Sequence, residues 1–126
     1  MGEFIEVSKI DELKAGAMKA VNIAGHEVLL ARVGDKYYAA NNRCPHMGAR
    51  LSDGSLDATT VTCPRHGAQY DLSDGHVIRW AKMPVPVSTI GKLIGRPKPL
   101  TTYVVKLEGE SILVEIYTAS PQIINP

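Results

Sequence analysis

The residues with the clearest chemical potential are two cysteines and two histidines in one central stretch. Cys44 and His46 form a C-x-H pair, Cys63 and His66 form a C-x2-H pair, and sixteen residues separate the pairs. Two thiolates and two imidazoles are enough donors to complete one metal centre. Because the chain has only two cysteines, both are better used as ligands than as a disulfide, which agrees with a reducing compartment.

Two kinds of metal centre fit this donor set. One is a structural zinc ion, and the other is a 2Fe-2S cluster with two thiolates on one iron and two imidazoles on the other. Zinc modules usually pair like ligands, C-x2-4-C with H-x3-5-H, whereas each pair here contributes one ligand of each kind. If Cys44 and Cys63 bind one iron while His46 and His66 bind the other, both loops must clasp the cluster from one end.

Three apolar-rich runs ahead of this stretch predict antiparallel strands. The runs are MKAVNIA, EVLLARV and KYYAAN, at residues 18–24, 27–33 and 36–41. They are separated by Gly25-His26 and Gly34-Asp35, and glycine at the first loop position suits a two-residue type II′ turn. Before them, EFIEV alternates weakly, and KIDELKAG is expected to form one helical turn.

A further hairpin is predicted near the C-terminus. Apolar residues alternate with polar ones on both sides of the Gly109-Glu110 turn: Tyr103, Val105 and Leu107 before it, and Ile112, Val114 and Ile116 after it. The short runs TTVTC, QYDL and HVIRW predict three more strands around the glycine- and proline-containing ligand loops, at about residues 43–50 and 63–70. An all-β domain with a two-loop metal site is expected.

Bulk composition predicts one soluble domain over residues 1–126. The chain has 126 residues with 44% apolar content, which can bury a sizeable core without disulfides. A net charge of +1 gives no reason to expect nucleic acid or a membrane surface as partner. No secretory signal is apparent, and no run approaches the roughly 18 apolar residues of a membrane span. We therefore expect a cytoplasmic protein.

The ligand segments resemble a known motif. CPHMGARL followed by CPRHGAQYDLSDG is similar to the Rieske 2Fe-2S motif, specifically that of soluble, oxygenase-type Rieske ferredoxins. YYAANNRC and TYVVKLEGESILVEI are also similar, so the resemblance covers most of residues 18–117. It implies an antiparallel β-sandwich or barrel with a small cluster-binding subdomain. It also implies one 2Fe-2S cluster, with Cys44 and Cys63 on the inner iron and His46 and His66 on the outer iron.

The resemblance implies an electron carrier rather than an enzyme. Its usual partners are a flavoprotein reductase as donor and an aromatic-ring-hydroxylating oxygenase as acceptor. With two thiolate ligands the oxidised core is neutral and the reduced core carries one negative charge, so this ligation favours reduction more than four-cysteine ligation does. Two alternatives remain: a Rieske small subunit of a larger oxidoreductase, such as a nitrite reductase, and a zinc-stabilised interaction module.

Residues next to the ligands predict a low reduction potential within the Rieske range. Met47, Gly48 and Gly67 flank the ligands, and Tyr70 matches a tyrosine whose hydroxyl donates to a ligand sulfur in high-potential relatives. The cysteine pair and the serine of those relatives are absent, since their positions are occupied by Ala49, Arg65 and Ala68. Arg43, Arg50 and Arg65 favour the reduced form, but exposed charges contribute at most about 1 kcal/mol each.

Two features outside the ligand loops are also assigned from sequence. Residues 83–102 form a basic insertion in which 90–94 are expected to form a short helix, and Lys92, Arg96 and Lys98 are the candidate docking residues for an acidic redox partner. The alternative is a covering loop whose apolar face closes the core. His26 and His76 are interpreted as surface histidines in turns rather than a second metal site.

Overall fold

A computed structural model describes residues 3–23, 25–45, 48–65, 67–79 and 98–116. Across these residues the chain forms antiparallel strands, with 3₁₀ turns at Ile10–Glu12 and Leu51–Asp53. The strands are β1 Glu3–Lys9, β2 Met18–Ile23, β3 His26–Val33, β4 Lys36–Asn41, β5 Ser55–Asp57, β6 Thr60–Thr62, β7 Gln69–Asp71, β8 Val77–Arg79, β9 Thr102–Tyr103, β10 Val105–Glu108 and β11 Ser111–Ile116.

The strands form three sheets, ordered β1-β11-β10, β2-β3-β4-β9 and β5-β6-β7-β8. Strand β3 is buried on both faces, which explains its continuous apolar run. Val28 and Leu30 belong to a core shared with the first sheet, including Ile112, Val114 and Ile116 on β11. Leu29 and Ala31 belong to a second core that underlies the ligand loops. The all-β prediction is confirmed.

The third sheet and the two ligand loops form a small unit on the second core. The first ligand loop, residues 43–50, follows β4, and the second ligand loop, residues 63–70, joins β6 to β7. The second core contains both cysteines and buried residues from both loops and from the sheets on either side: Leu29, Ala31, Ala40, Cys44, Leu51, Val61, Cys63, Ala68, Tyr70, Leu72 and Leu100. Apolar packing in the second core therefore anchors both ligand loops.

Most strand predictions are confirmed, and two details are wrong. Ile23 pairs with His26, so His26 begins β3 instead of lying in the first turn. The strand predicted across Tyr103–Leu107 is interrupted at Val104: β9 pairs with β4, whereas β10 pairs with β11. Periodicity did not reveal this break, because a strand that changes sheets keeps its alternation.

Several predictions fall outside the described residues. The helix predicted at residues 90–94 does so, as do Lys92 and Arg96, while Lys98 is described and exposed. Within the described part of the chain, no helix is long and apolar enough to cross a lipid bilayer.

Candidate metal centre

The two ligand loops share one backbone hydrogen-bond pattern. The Cys44 amide donates to the carbonyl of Ala49 at 2.8 Å, and the Gly48 amide donates back to the carbonyl of Cys44 at 2.8 Å. In the second loop, the Cys63 amide donates to Ala68 at 2.8 Å and the Gly67 amide donates to Cys63 at 3.2 Å. Each cysteine thus begins a closed turn of the same size, although the loops differ in sequence.

The glycine four positions after each cysteine makes this turn possible. Gly48 has φ +78° and Gly67 has φ +76°, a left-handed conformation that is costly for residues with a Cβ. The contacts that flank the loops differ. The backbones of Arg43 and Arg50 form an isolated antiparallel β-bridge across the first loop, whereas the side chain of Gln69 donates from Nε2 to Thr62 Oγ1 at 3.1 Å across the second.

The two cysteines lie at the inner side of the loops. Each is 2% exposed, and neither forms a disulfide. The hydroxyl of the fully buried Tyr70 lies 3.4 Å from Cys44 Sγ. When Cys44 is a thiolate the hydroxyl must be the donor, because a thiolate has no proton to give.

The described residues fit the thiolate side of a soft-metal centre. Two buried sulfur atoms on matched loops, with a hydroxyl donor beside one of them, are the environment that a metal-bound thiolate requires. Of the other predicted site residues, Gly48 and Gly67 occupy the loop corners. His46, Met47 and His66 lie outside the described residues. Their assignment stays a prediction.

A carboxylate on β3 connects the two arginines of the first loop. Glu27 Oε1 lies 2.9 Å from Arg43 Nε, and Glu27 Oε2 lies 2.7 Å from Arg50 Nε. Arg50 also lies 4.0 Å from Asp53. The hydrogen bond from Arg50 is the main cause that lowers the pKa of Glu27, and the same contact raises the pKa of Arg50. Acidic partners therefore offset the arginine charge that the sequence attributed to this loop, while Arg65 on the second loop is exposed.

Asn42 connects the ion pairs of Glu27 to the 3₁₀ turn that follows the first loop. It is fully buried, and its Oδ1 accepts from the Ser52 amide at 2.8 Å while its Nδ2 donates to Ser52 Oγ at 2.9 Å and to Glu27 at 3.2 Å. No sequence motif marks Asn42, so sequence reasoning could not identify its role. The Glu27 contacts arise because β3 pairs with β4, which places Glu27 beside the start of the first loop.

The remaining two histidines, His26 and His76, lie outside the two ligand loops. His26 is half-buried and lines an open, polar cavity of about 430 Å³ together with Glu27 and Arg43, among others. Because His26 is the first residue of β3, its assignment to a turn was wrong. His76 is exposed in the loop before β8, with Nδ1 2.6 Å from Asp74 Oδ1, which agrees with the turn assignment.

Fold and site together define a class: an all-β domain in which two matched loops each bury a cysteine. The chain belongs to the Rieske [2Fe-2S] domain family, whose model matches residues 3–108. Family membership implies one 2Fe-2S cluster, which agrees with the cofactor predicted from sequence.

Similar proteins are ferredoxins of dioxygenase systems. The chain is 28% identical over 114 residues to the naphthalene 1,2-dioxygenase system ferredoxin component of Pseudomonas aeruginosa, covering 90% of this chain and 96% of that one. It is 35% identical over 95 residues to the 3-phenylpropionate/cinnamic acid dioxygenase ferredoxin subunit of Escherichia coli strain K12, covering 75% and 76%.

A solved structure shows the same fold. The structure is titled a complex of reduced oxygenase and oxidized ferredoxin in carbazole 1,9a-dioxygenase, and the similar chain in it has a TM-score of 0.70 and 28% identity. The match covers 88% of this chain and 91% of that one. The predicted Rieske ferredoxin resemblance and fold are confirmed.

Proposed function

We propose that this protein is a one-electron carrier that passes electrons from a flavoprotein reductase to a terminal oxygenase. The observation that carries the proposal is the pair of matched loops that bury Cys44 and Cys63 in one core within a Rieske domain. Its relatives are ferredoxin components or subunits of dioxygenase systems, and one similar structure is titled as an oxygenase–ferredoxin complex. Oxygen chemistry then belongs to the partner, and this chain is not itself an enzyme.

The residues proposed to hold the cluster are Cys44 and Cys63 on the inner iron and His46 and His66 on the outer iron. When bound, the cluster supplies a one-electron couple. The loop backbone positions both thiolates, the second core excludes water from them, and Tyr70 donates to one sulfur. We further propose that residues 1–126 form a single domain and that the protein is cytoplasmic.

The relatives favour a separate carrier over the two alternatives. A nitrite-reductase-type small subunit would hold the same cluster, but the two relatives named above are ferredoxin components or subunits, and the first is matched over 96% of its length. A zinc module conflicts with membership of a 2Fe-2S family. The carrier function is therefore the one that family, fold and cysteine geometry support together.

Purified protein tests the proposal in two stages. Wild type should contain about two irons and two acid-labile sulfides per chain, and should give a low-average-g EPR signal once reduced. Cys44→Ser and His66→Ala should lose the cluster, whereas His76→Ala should retain it, because His76 is exposed and paired with Asp74. A colourless zinc protein would overturn the proposal.

The second stage tests electron transfer. The reduced protein should be reoxidised in single turnover by a Rieske-type oxygenase and re-reduced by an NAD(P)H-dependent flavoprotein reductase. A loaded protein that exchanges electrons only as part of a stable larger oxidoreductase would instead support the small-subunit alternative.

A further inference from the structure

The glycine corner of each ligand loop accepts a hydrogen bond from an arginine. Arg43 Nη1 donates to the carbonyl of Gly48 at 3.2 Å, and Arg79 Nε donates to the carbonyl of Gly67 at 3.1 Å. The two arginines come from different places: Arg43 directly precedes Cys44, whereas Arg79 belongs to β8. The two loops therefore share this contact as well as their backbone pattern, although its donors are unrelated in sequence.

These contacts act at the glycine corner that ends each cysteine turn. Gly48 lies two positions after His46, and Gly67 directly follows His66. With φ near +77° at both corners, each glycine lacks a side chain that could anchor it by packing. A guanidinium hydrogen bond to the carbonyl supplies that anchor, and hydrogen bonds with a charged donor are stronger than neutral ones.

No disulfide links the two ligand loops. The chain has two cysteines, and both lie at the start of the ligand loops. Protein contacts that hold each loop in place are therefore noncovalent, namely core packing below the cysteines, the contact of Tyr70 with Cys44 and the arginine contacts at the corners.

The two arginine contacts differ in their surroundings. Arg43 has a side chain that is 57% exposed, and Glu27 holds its guanidinium at 2.9 Å. Arg79 is half-buried, and its strand pairs it with Gln69 at the end of the second loop. Within the described residues Arg79 has no ion pair. Because solvent weakens exposed contacts, the Arg79 contact should have the larger effect.

We propose that Arg43 and Arg79 are positioning residues that hold the corners of the two ligand loops and thereby retain the cluster. This inference rests on the proposed function, since it requires a cluster between the loops. Neither arginine is assigned as a ligand. Each holds its loop by a hydrogen bond to a glycine carbonyl, and Glu27 orients Arg43 by an ion pair.

The chain offers matched controls that remove the same charge without touching a corner. Arg65 lies in the second loop and is exposed, with no hydrogen bond or ion pair among the described residues. Arg50 lies at the end of the first loop and binds Glu27 and Asp53, and among the described residues it forms no hydrogen bond with Gly48. Arg79→Gln is therefore compared with Arg65→Gln, and Arg43→Gln with Arg50→Gln.

The rate of cluster loss is measured from the decay of visible absorbance in excess iron chelator. Arg79→Gln should lose the cluster at least about fivefold faster than Arg65→Gln, a factor that corresponds to roughly 1 kcal/mol. Arg43→Gln should also lose the cluster faster than Arg50→Gln, but by a smaller factor. Arg79→Lys should recover part of the lifetime, because it keeps the charge and a donor but not the planar geometry.

Potentials and EPR spectra of the same variants separate positioning from charge. Every Gln variant removes one positive charge, so all four midpoints should fall by comparable small amounts, whereas only Arg79→Gln and Arg43→Gln should broaden the EPR signal. Equal lifetimes for Arg79→Gln and Arg65→Gln would overturn the inference. If Arg79→Gln cannot be purified, Arg79→Lys and the Arg43/Arg50 pair decide it on the same criterion. A wild type without a 2Fe-2S cluster would instead refute the proposed function.

Discussion

The hydroxyl of Tyr70 lies 3.4 Å from the sulfur of Cys44, and both residues are buried, at 0% and 2% exposure. Tyr70 lies on β7 at the end of the second ligand loop, whereas Cys44 belongs to the first. The contact therefore joins the two loops across the core. A donor at this position stabilises the more electron-rich state of a ligand sulfur.

Tyr70→Phe should lower the reduction potential, because it removes that donor and leaves the ring in place. A net hydrogen-bond contribution of about 0.5–1.5 kcal/mol corresponds to roughly 20–65 mV at 59 mV per tenfold change. Protein-film voltammetry measures the shift. Tyr103→Phe, at a half-buried tyrosine that belongs to the other core, is the control and should leave the midpoint nearly unchanged. Equal midpoints for the two variants would contradict the role of the hydroxyl.

The wild-type midpoint should fall near the low end of the Rieske range of about −150 to +300 mV. Ala49 and Ala68 provide neither a disulfide nor a hydroxyl donor, and Glu27 offsets arginine charge beside the first loop. Equilibrium redox titration gives the value. A midpoint well above about +100 mV, a cut within the quoted range, would show that other donors control the potential.

The stabilising effect of Glu27 should depend on pH. Its pKa is lowered in the folded state, chiefly by the hydrogen bond from Arg50, so the contribution is complete above its unfolded pKa of about 4.3 and is lost as pH falls through the lower, folded value. Denaturant midpoints of wild type and Glu27→Gln should differ at pH 7 and converge in acid. Glu3→Gln is the control, and a difference that persists unchanged in acid would disprove the linkage.

Asn42→Ala should destabilise the fold by about 1–3 kcal/mol, the usual cost of leaving buried polar groups without partners. The amide of Ser52 loses its acceptor, and Glu27 loses one donor. Urea denaturation gives the difference. Asn22→Ala, at an exposed position of β2, should change stability by no more than about 0.5 kcal/mol; a similar loss in both variants would argue against the network.

Reversal of the basic insertion should slow electron transfer to an acidic partner. The triple change Lys92→Glu, Arg96→Glu and Lys98→Glu should reduce the association rate at low salt, and the effect should fade as salt screens the charges. Stopped-flow oxidation by the acceptor measures it. Reversal of Lys14 and Lys36, which are exposed and outside the insertion, is the control. Unchanged rates for the triple variant would remove the docking proposal.

Local patterns were sufficient for much of the fold. Alternating apolar residues and Gly-Xaa turns predicted β4, β6, β7 and the final hairpin, since strand alternation and turn conformation are properties of a few neighbouring residues. The same patterns missed β5 at Ser55–Asp57 and the interruption at Val104. Unlike β6 and β7, Ser55–Asp57 contains no β-branched or aromatic residue that would favour a strand. A change of sheet is decided by the partner strand.

The sequence by itself determined that Cys44 and Cys63 open two glycine-cornered loops in a 2Fe-2S family domain, because each turn is closed within six residues by its own backbone. Only the tertiary structure decided what surrounds those loops. Glu27 is 23 positions from Arg50, and Arg79 is 12 positions from Gly67, so neither contact leaves a local pattern. Strand register brings these residues together, and register depends on which apolar faces the whole chain can bury.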